Sequence, residues 1–402
     1  MIVSMLMGCG GAPGSGASGA PGPGGSPVLT DAPSVSDVPR AAWTYPPGGA
    51  PRTEVVARLQ RWSTRDAVAY FMESARLAGV ATVHVLVKQD EDDVIASGTV
   101  FYRSAVAPVW KDMGDWDMLA AAVEEAHARG LRIYAWIPQF HDAAAATAHP
   151  AWEMHVAKDG QAVPYSAASR QVFVNPVDPE VRAYEQRIVE EVVGSYDVDG
   201  VDLDWVRYDD VTMDVGPLTR RLAEADLGFD PLDLPFADGL ADPRVARWQV
   251  WRTRFVADHV QAVAAAVRAI RPDVHVSAFV LPQSFWEVGQ DLAQFGGALD
   301  EVSPMCYWND WGFDPSWVRN DCLATVDARL RHAGEAVAAS VAVVPALGVN
   351  EPDDETRAVM ADLAAHRPDL PGIEWFSYTP WPRERMAAAA AWMAGWRTSG
   401  GG

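Results

Sequence analysis

Asp199-Gly200-Val201-Asp202-Leu203-Asp204-Trp205-Val206-Arg207-Tyr208 is the stretch that decides how this chain is read. Along an extended run, alternation sends Gly200, Asp202, Asp204 and Val206 to one side and Val201 and Leu203 to the other. Aspartate is disfavoured in strands, so two on one face need a specific reason. A strand of a closed parallel barrel supplies one, because its inward face rises to the C-terminal mouth where such barrels carry their chemistry. Two carboxylates packed that closely cannot both stay ionised at their usual pKa. This is one way to keep a carboxylic acid protonated near neutral pH.

Outward from this segment, short apolar runs alternate with longer amphipathic stretches, the pattern of βα units. The expected strands are Ala41–Tyr45, Ala81–Lys88, Leu131–Pro138, Asp199–Trp205, Val274–Leu281, Glu301–Trp308, Ala339–Gly348 and Ile373–Tyr378. Helical segments fall between them at Trp116–Arg129, Asp178–Ser195, Pro243–Ile270, Pro315–Ala333, Asp353–His366 and Glu384–Trp396. Asp178-Pro179 and Asp242-Pro243 each place an N-cap aspartate before an N1 proline. No Gly-rich phosphate turn follows the first strand, as an open doubly wound sheet would require. The fold class expected is α/β: a single (β/α)8 TIM barrel over residues 40–397, with long loops after strands 3 and 4 (141–171 and 209–241).

Residues 1–39 are a different material. After Cys9 the chain is Gly-, Pro- and Ser-rich and carries no charge until Asp31, so it cannot bury enough apolar surface to order itself. It is read as a disordered tether, and residues 398–402 as a disordered tail. Leu6-Met7-Gly8-Cys9 resembles a bacterial lipobox, which implies lipidation of Cys9 and an exported protein, anchored as a lipoprotein or secreted. With no run of ~18 apolar residues, the membrane is expected as a partner only through that anchor. The net charge of −22 over 402 residues argues against nucleic acid. A monomer is expected. Cys306 and Cys322 either pair in an oxidising compartment or serve as plain core.

Tryptophan is abundant, with 17 residues, many of them near strand ends, where indole faces can stack on sugar rings. The ordered motifs then carry a resemblance. Asp199 to Trp205 resembles the strand-four signature of family 18 chitinases, but the acid of that signature would fall at Val206. A broader set runs through Arg40-Ala41-Ala42-Trp43, Gly98–Ser104, Ala126-His127-Ala128-Arg129-Gly130-Leu131, Asn175-Pro176 and Asp300–Tyr307. Together these resemble the bacterial glycosyl hydrolase-like 10 group, divergent peptidoglycan and polysaccharide hydrolases, over roughly residues 40 to 390. That group usually has His at position 202, where this chain has Asp; Asp199, Gly200, Asp204, Arg207 and Tyr208 match.

The resemblance implies a glycoside hydrolase acting on O-glycosidic bonds of an envelope or extracellular polysaccharide rich in amino sugars. Such hydrolysis needs a proton donor to the leaving oxygen and an anion or base beneath the anomeric carbon. Asp204, nearest the mouth, is the expected general acid or essential carboxylate. Asp202 behind it raises its pKa or orients an N-acetyl or hydroxyl group. Glu374, on the eighth strand, is the expected second carboxylate, or else the partner of a cation such as Arg207. Tyr307 is placed beside the anomeric centre, Lys88 and Arg207 as neutralising cations, and Trp136, Asn175, Tyr208, Trp308 and Trp375 among the substrate contacts. His84 and His275 read as core. No cofactor and no metal are expected, because no histidine accompanies the aspartates at ligand spacing. Two other readings stand beside this one: a non-catalytic glycan-binding barrel, and a deacetylase or lyase on the same fold.

Overall fold

A computed structural model describes residues 51–59, 64–89, 98–169, 171–376 and 383–399. Its eight barrel strands are β1 (Arg52–Ala57), β2 (Thr82–Leu86), β3 (Arg132–Pro138), β4 (Gly200–Asp204), β5 (His275–Val280), β6 (Glu301–Pro304), β7 and β8 (Gly372–Phe376). β7 comes in two pieces, Ala342–Val343 and Ala346–Gly348, separated at Val344-Pro345. Proline has no N–H to give the ladder, so the strand is interrupted there. Its first piece pairs with β6 and its second with β8. The Met305–Ala346 bridge and the bond from Cys306 N–H to the Ala346 carbonyl (2.9 Å) complete the ring. All barrel pairings are parallel, and β8 returns to β1 with Glu374 beside Glu54.

The (β/α)8 expectation is met, with one change of boundary. The strand expected at Ala41–Tyr45 lies outside the described residues, and the ring opens instead with Arg52–Ala57. That strand's inward positions hold Arg52 and Glu54, which read as surface until the barrel closes around them. The two aspartate caps are as expected. Asp178 accepts from Glu180 N–H at the start of Pro179–Ser195, and Asp242 from Arg244 N–H at the start of Pro243–Ile270. The helix Arg65–Leu77, capped by Thr64, was not anticipated. Tether, Cys9 and residues 400–402 lie outside the described residues, whereas Thr398 and Ser399, expected in the disordered tail, belong to the helix Arg383–Ser399.

The long loops after β3 and β4 are structured and joined. The first holds an antiparallel hairpin, His155–Lys158 with Gln161–Pro164, and the second a helix, Pro217–Leu227. Buried Asp214 accepts from His155 N–H (2.6 Å), from the Asn175 side-chain amide (2.6 Å) and from the Thr219 hydroxyl. Beneath them Trp248, Trp251, Val211 and Val215 form a second apolar cluster beside the main core. Cys306 and Cys322 form a disulfide, which closes the question left open above. Among the described residues no helix is long and apolar enough to cross a membrane.

Candidate active site

Side chains on the inward faces sort into two levels. The lower is a buried charge cluster centred on His84 of β2. Its Nδ1 lies 3.0 Å from Asp202 Oδ2 and 3.3 Å from Glu374 Oε1, and its Nε2 lies 2.9 Å from Glu54 Oε2. Arg52 bridges Glu54 (2.9 Å) and Glu301 of β6 (3.2 Å). Room for this level comes partly from Gly200, where a Cβ would sit 2.6 Å from the Tyr134 ring that flanks His84.

Burial alone would strip His84 of its proton. The charge of Glu374 and the bonds to Asp202 and Glu54 outweigh that and hold its pKa well above the ordinary value. Burial pushes Glu374 well upward, opposed by the His84 charge and reinforced by Asp202 and Glu54. For Glu54 the burial effect is outweighed by the Arg52 charge and the His84 bond, so its pKa is lowered. The level is therefore an imidazolium and an arginine set among carboxylates, with Glu374 the one that keeps its proton most readily. Two triplets, Glu54-His84-Glu301 and His84-Asp202-Glu374, bring possible metal donors within 4.8 Å of each other. Carboxylates face both nitrogens of His84, which suits a double N–H donor, whereas a metal would need one nitrogen's lone pair.

The upper level opens at the C-terminal mouth. β4 ends at Asp204, and Trp205 then takes φ 50°, a left-handed conformation costly for an aromatic residue. The turn aims Trp205 N–H at Asp204 Oδ1 (2.7 Å), while Trp136 Nε1–H donates to Oδ2 (2.9 Å). Burial raises the Asp204 pKa to about 6 against the pull of Arg207 and of these two donors; the charge of Asp202 adds a smaller push. Around it stand Trp136, with the Arg58 guanidinium 5.0 Å from its ring centre, then Phe376 and Phe279 edge-on to Trp136, and Tyr307 against Phe376 and Trp311. Arg207 lies 4.1 Å over the Trp205 ring and pairs with Asp209 (3.1 Å).

Of the residues singled out from sequence, the mouth thus gathers Asp204, Trp136, Arg207 and Tyr307. Asp202 and Glu374 belong to the floor, so Glu374 is not the carboxylate facing Asp204 at the mouth. It is the partner of a cation, the alternative expected from sequence, but the cation is His84 (3.3 Å) and not Arg207. The remaining five are drawn elsewhere. Past Leu86 the chain leaves the barrel, and Lys88 is buried between Glu185 (2.6 Å) and Asp142 (2.8 Å). Asn175 is consumed by Asp214 and Thr219. Tyr208 is buried beneath the Arg252 guanidinium, and Gly289 leaves space for its ring. Trp308 donates to Glu355 (2.8 Å), and Trp375 packs on Trp392, 4.9 Å between ring centres, on the helical side.

Sequence reasoning missed His84 as the companion of Asp202, since the two are 118 positions apart. It missed Arg58, which follows a strand it did not locate. It also missed Glu351, a buried acid just after β7 on the same face of the barrel.

A family model, glycosyl hydrolase-like 10, matches residues 69–329. An S-layer-related protein of Niallia circulans is 31% identical over 191 residues, 43% of this chain and 12% of that protein. Glycosyl hydrolase DigH of Escherichia coli is 24% identical over 305 residues, 67% of this chain and 62% of that protein. The chain therefore spans less than two thirds of the length of either. Among solved structures, the PgaB (BpsB) glycoside hydrolase domain from Bordetella bronchiseptica superposes with a TM-score of 0.62 at 16% identity, covering 84% of this chain and 96% of that one. At that identity the likeness concerns the fold.

Proposed function

The chain belongs to the glycosyl hydrolase-like 10 family, and we propose that it hydrolyses O-glycosidic bonds in a cell-envelope or extracellular polysaccharide rich in amino sugars. The observation that carries this is Asp204: a carboxyl at the mouth of the barrel, held by two N–H donors and walled by Trp136, Phe279, Phe376 and Tyr307. Aromatic faces bind the apolar faces of pyranose rings, and a fixed carboxylate stabilises the positive charge that develops at the anomeric carbon. The two N–H donors favour the ionised form of Asp204, which suits an anion beneath that carbon better than a proton donor.

The test is turnover. Incubating the full chain with purified peptidoglycan and with poly-N-acetylglucosamine should release new reducing ends in proportion to enzyme and time. Tight retention on these glycans with no reducing ends from a broad panel would replace the hydrolase with a binding module.

For location, we propose export and anchoring through a lipid on Cys9, with the barrel working as a monomer. The lipobox-like Leu6–Cys9, the disulfide and the names of the relatives support an envelope or extracellular site. Cys9→Ser should move the protein from the membrane pellet to the soluble extracytoplasmic fraction; an unchanged distribution would remove the anchor.

A further inference from the structure

We propose that Glu351 is the second catalytic carboxyl of this site, the proton donor to the leaving oxygen. The inference deepens the hydrolase reading above and rests on it. β7 ends at Gly348, paired in register with Phe376, whose ring faces the mouth against Trp136, Phe279 and Tyr307. Register mates in a parallel pair point to the same side, so a side chain at 348 would enter the mouth. None is there, and the Glu351 carboxyl occupies that direction: a Cβ on Gly348 would lie 3.1 Å from Oε1 and 3.2 Å from Cγ. The loop after β7 therefore folds back to deliver an acid over the barrel end.

That acid is only 4% exposed, and no side chain among the described residues hydrogen-bonds or ion-pairs with it; the Asn309 backbone N–H is the donor beside it. A buried carboxyl with no neutralising cation is costly, so its presence at the active face of a barrel calls for a role other than stability. Burial, then the nearby charge of Asp310, raises its pKa to about 8, whereas Asp204 reaches only about 6. Two carboxyls on one mouth with pKa values pushed apart are what acid and anion roles require. They sit at the ends of β4 and β7, three strands apart round the ring, with the Trp136–Phe376 pair between: Trp136 holds Asp204, and Phe376 is the register mate of Gly348.

The chemistry closes without another reagent. The bond from the anomeric carbon to the leaving oxygen breaks with its electron pair on oxygen, which takes the Glu351 proton. Asp204 carries the countercharge beneath the anomeric carbon. Water then adds to that carbon, and its proton returns to the carboxylate pair.

Glu351→Gln keeps the shape of the protonated acid. On glycan it should lower kcat by about 10³-fold and remove the alkaline limb of the pH–rate profile, while an aryl glycoside whose leaving group needs no proton keeps most of its rate. Gly348→Ala, which displaces the carboxyl while leaving Glu351 in place, should lower kcat with KM little changed. If wild type turns over and Glu351→Gln keeps both its rate and its alkaline limb, Glu351 is not the acid and the hydrolase reading stands. If wild type releases nothing from any glycan, both fall together.

Discussion

Asp204→Asn lowers kcat on glycan by about 10³-fold or more, with KM changed little and the fold intact. The substitution removes the charge and keeps the size. Trp136 Nε1–H and Trp205 N–H both point at this carboxyl. An asparagine has one acceptor oxygen, so one of those donors meets an NH2 instead; the cost to stability is about 1 kcal/mol. What disappears is the anion that faces charge developing at the anomeric carbon, in a pocket where Asp204 is 5% exposed and charge is weakly screened. The assay is initial rate of reducing-end release beside a circular dichroism melt. A variant within tenfold of wild type would remove Asp204 from the chemistry.

The second large effect is on stability. His84→Ala costs about 3–5 kcal/mol, because it leaves Asp202, Glu54 and Glu374 buried without their shared cation. Urea unfolding near pH 7 reads it as a lower midpoint; an unchanged midpoint would show that the cluster is neutral overall. The cluster also makes stability depend on pH, with a definite sign. His84 has a raised folded pKa, so its contribution is full below the unfolded value of about 6.5 and is lost as pH rises through the folded one. Glu374 is raised as well, so the fold is penalised increasingly as pH climbs above about 4.3 towards its folded value. Glu54, with a lowered pKa, contributes above about 4.3 and is lost as pH falls through its folded value. Wild type should therefore weaken on the alkaline side, and Glu374→Gln should flatten that decline. A wild-type midpoint that climbs steadily from about pH 6 to about pH 9 would contradict this assignment.

The barrel was legible where sequence pattern and burial agree. In β4, polar and apolar residues alternate cleanly, and Asp178 and Asp242 mark helix starts by chemistry that tertiary context does not override. β1 was not legible, since its inward residues Arg52 and Glu54 are charged and only the closed ring pairs them. Depth explains the misplacement of Glu374: alternation tells which face a residue takes, not how far up the barrel it sits. Phe376, two residues and about 6.6 Å further along the strand, holds the mouth position instead. Trp375 was misjudged although the signal was present, because a neighbour of an inward Glu374 must point outward. Glu351 gave no local signal at all. Its role follows from a loop that doubles back over Gly348, a matter of tertiary path.

The clamp around Asp214 has a consequence for how this cleft can vary. Its carboxylate takes hydrogens from His155 in one insertion, from Asn175 four residues past that insertion and from Thr219 in the other. The two segments are thus one wall by construction, though 64 positions separate His155 from Thr219. A chimera that imports the first from a relative replaces the segment that presents His155 N–H to Asp214, and one that imports the second replaces Asp214 and Thr219 together. Cleft shape is consequently passed on as a pair, and the two loops are expected to change together or not at all.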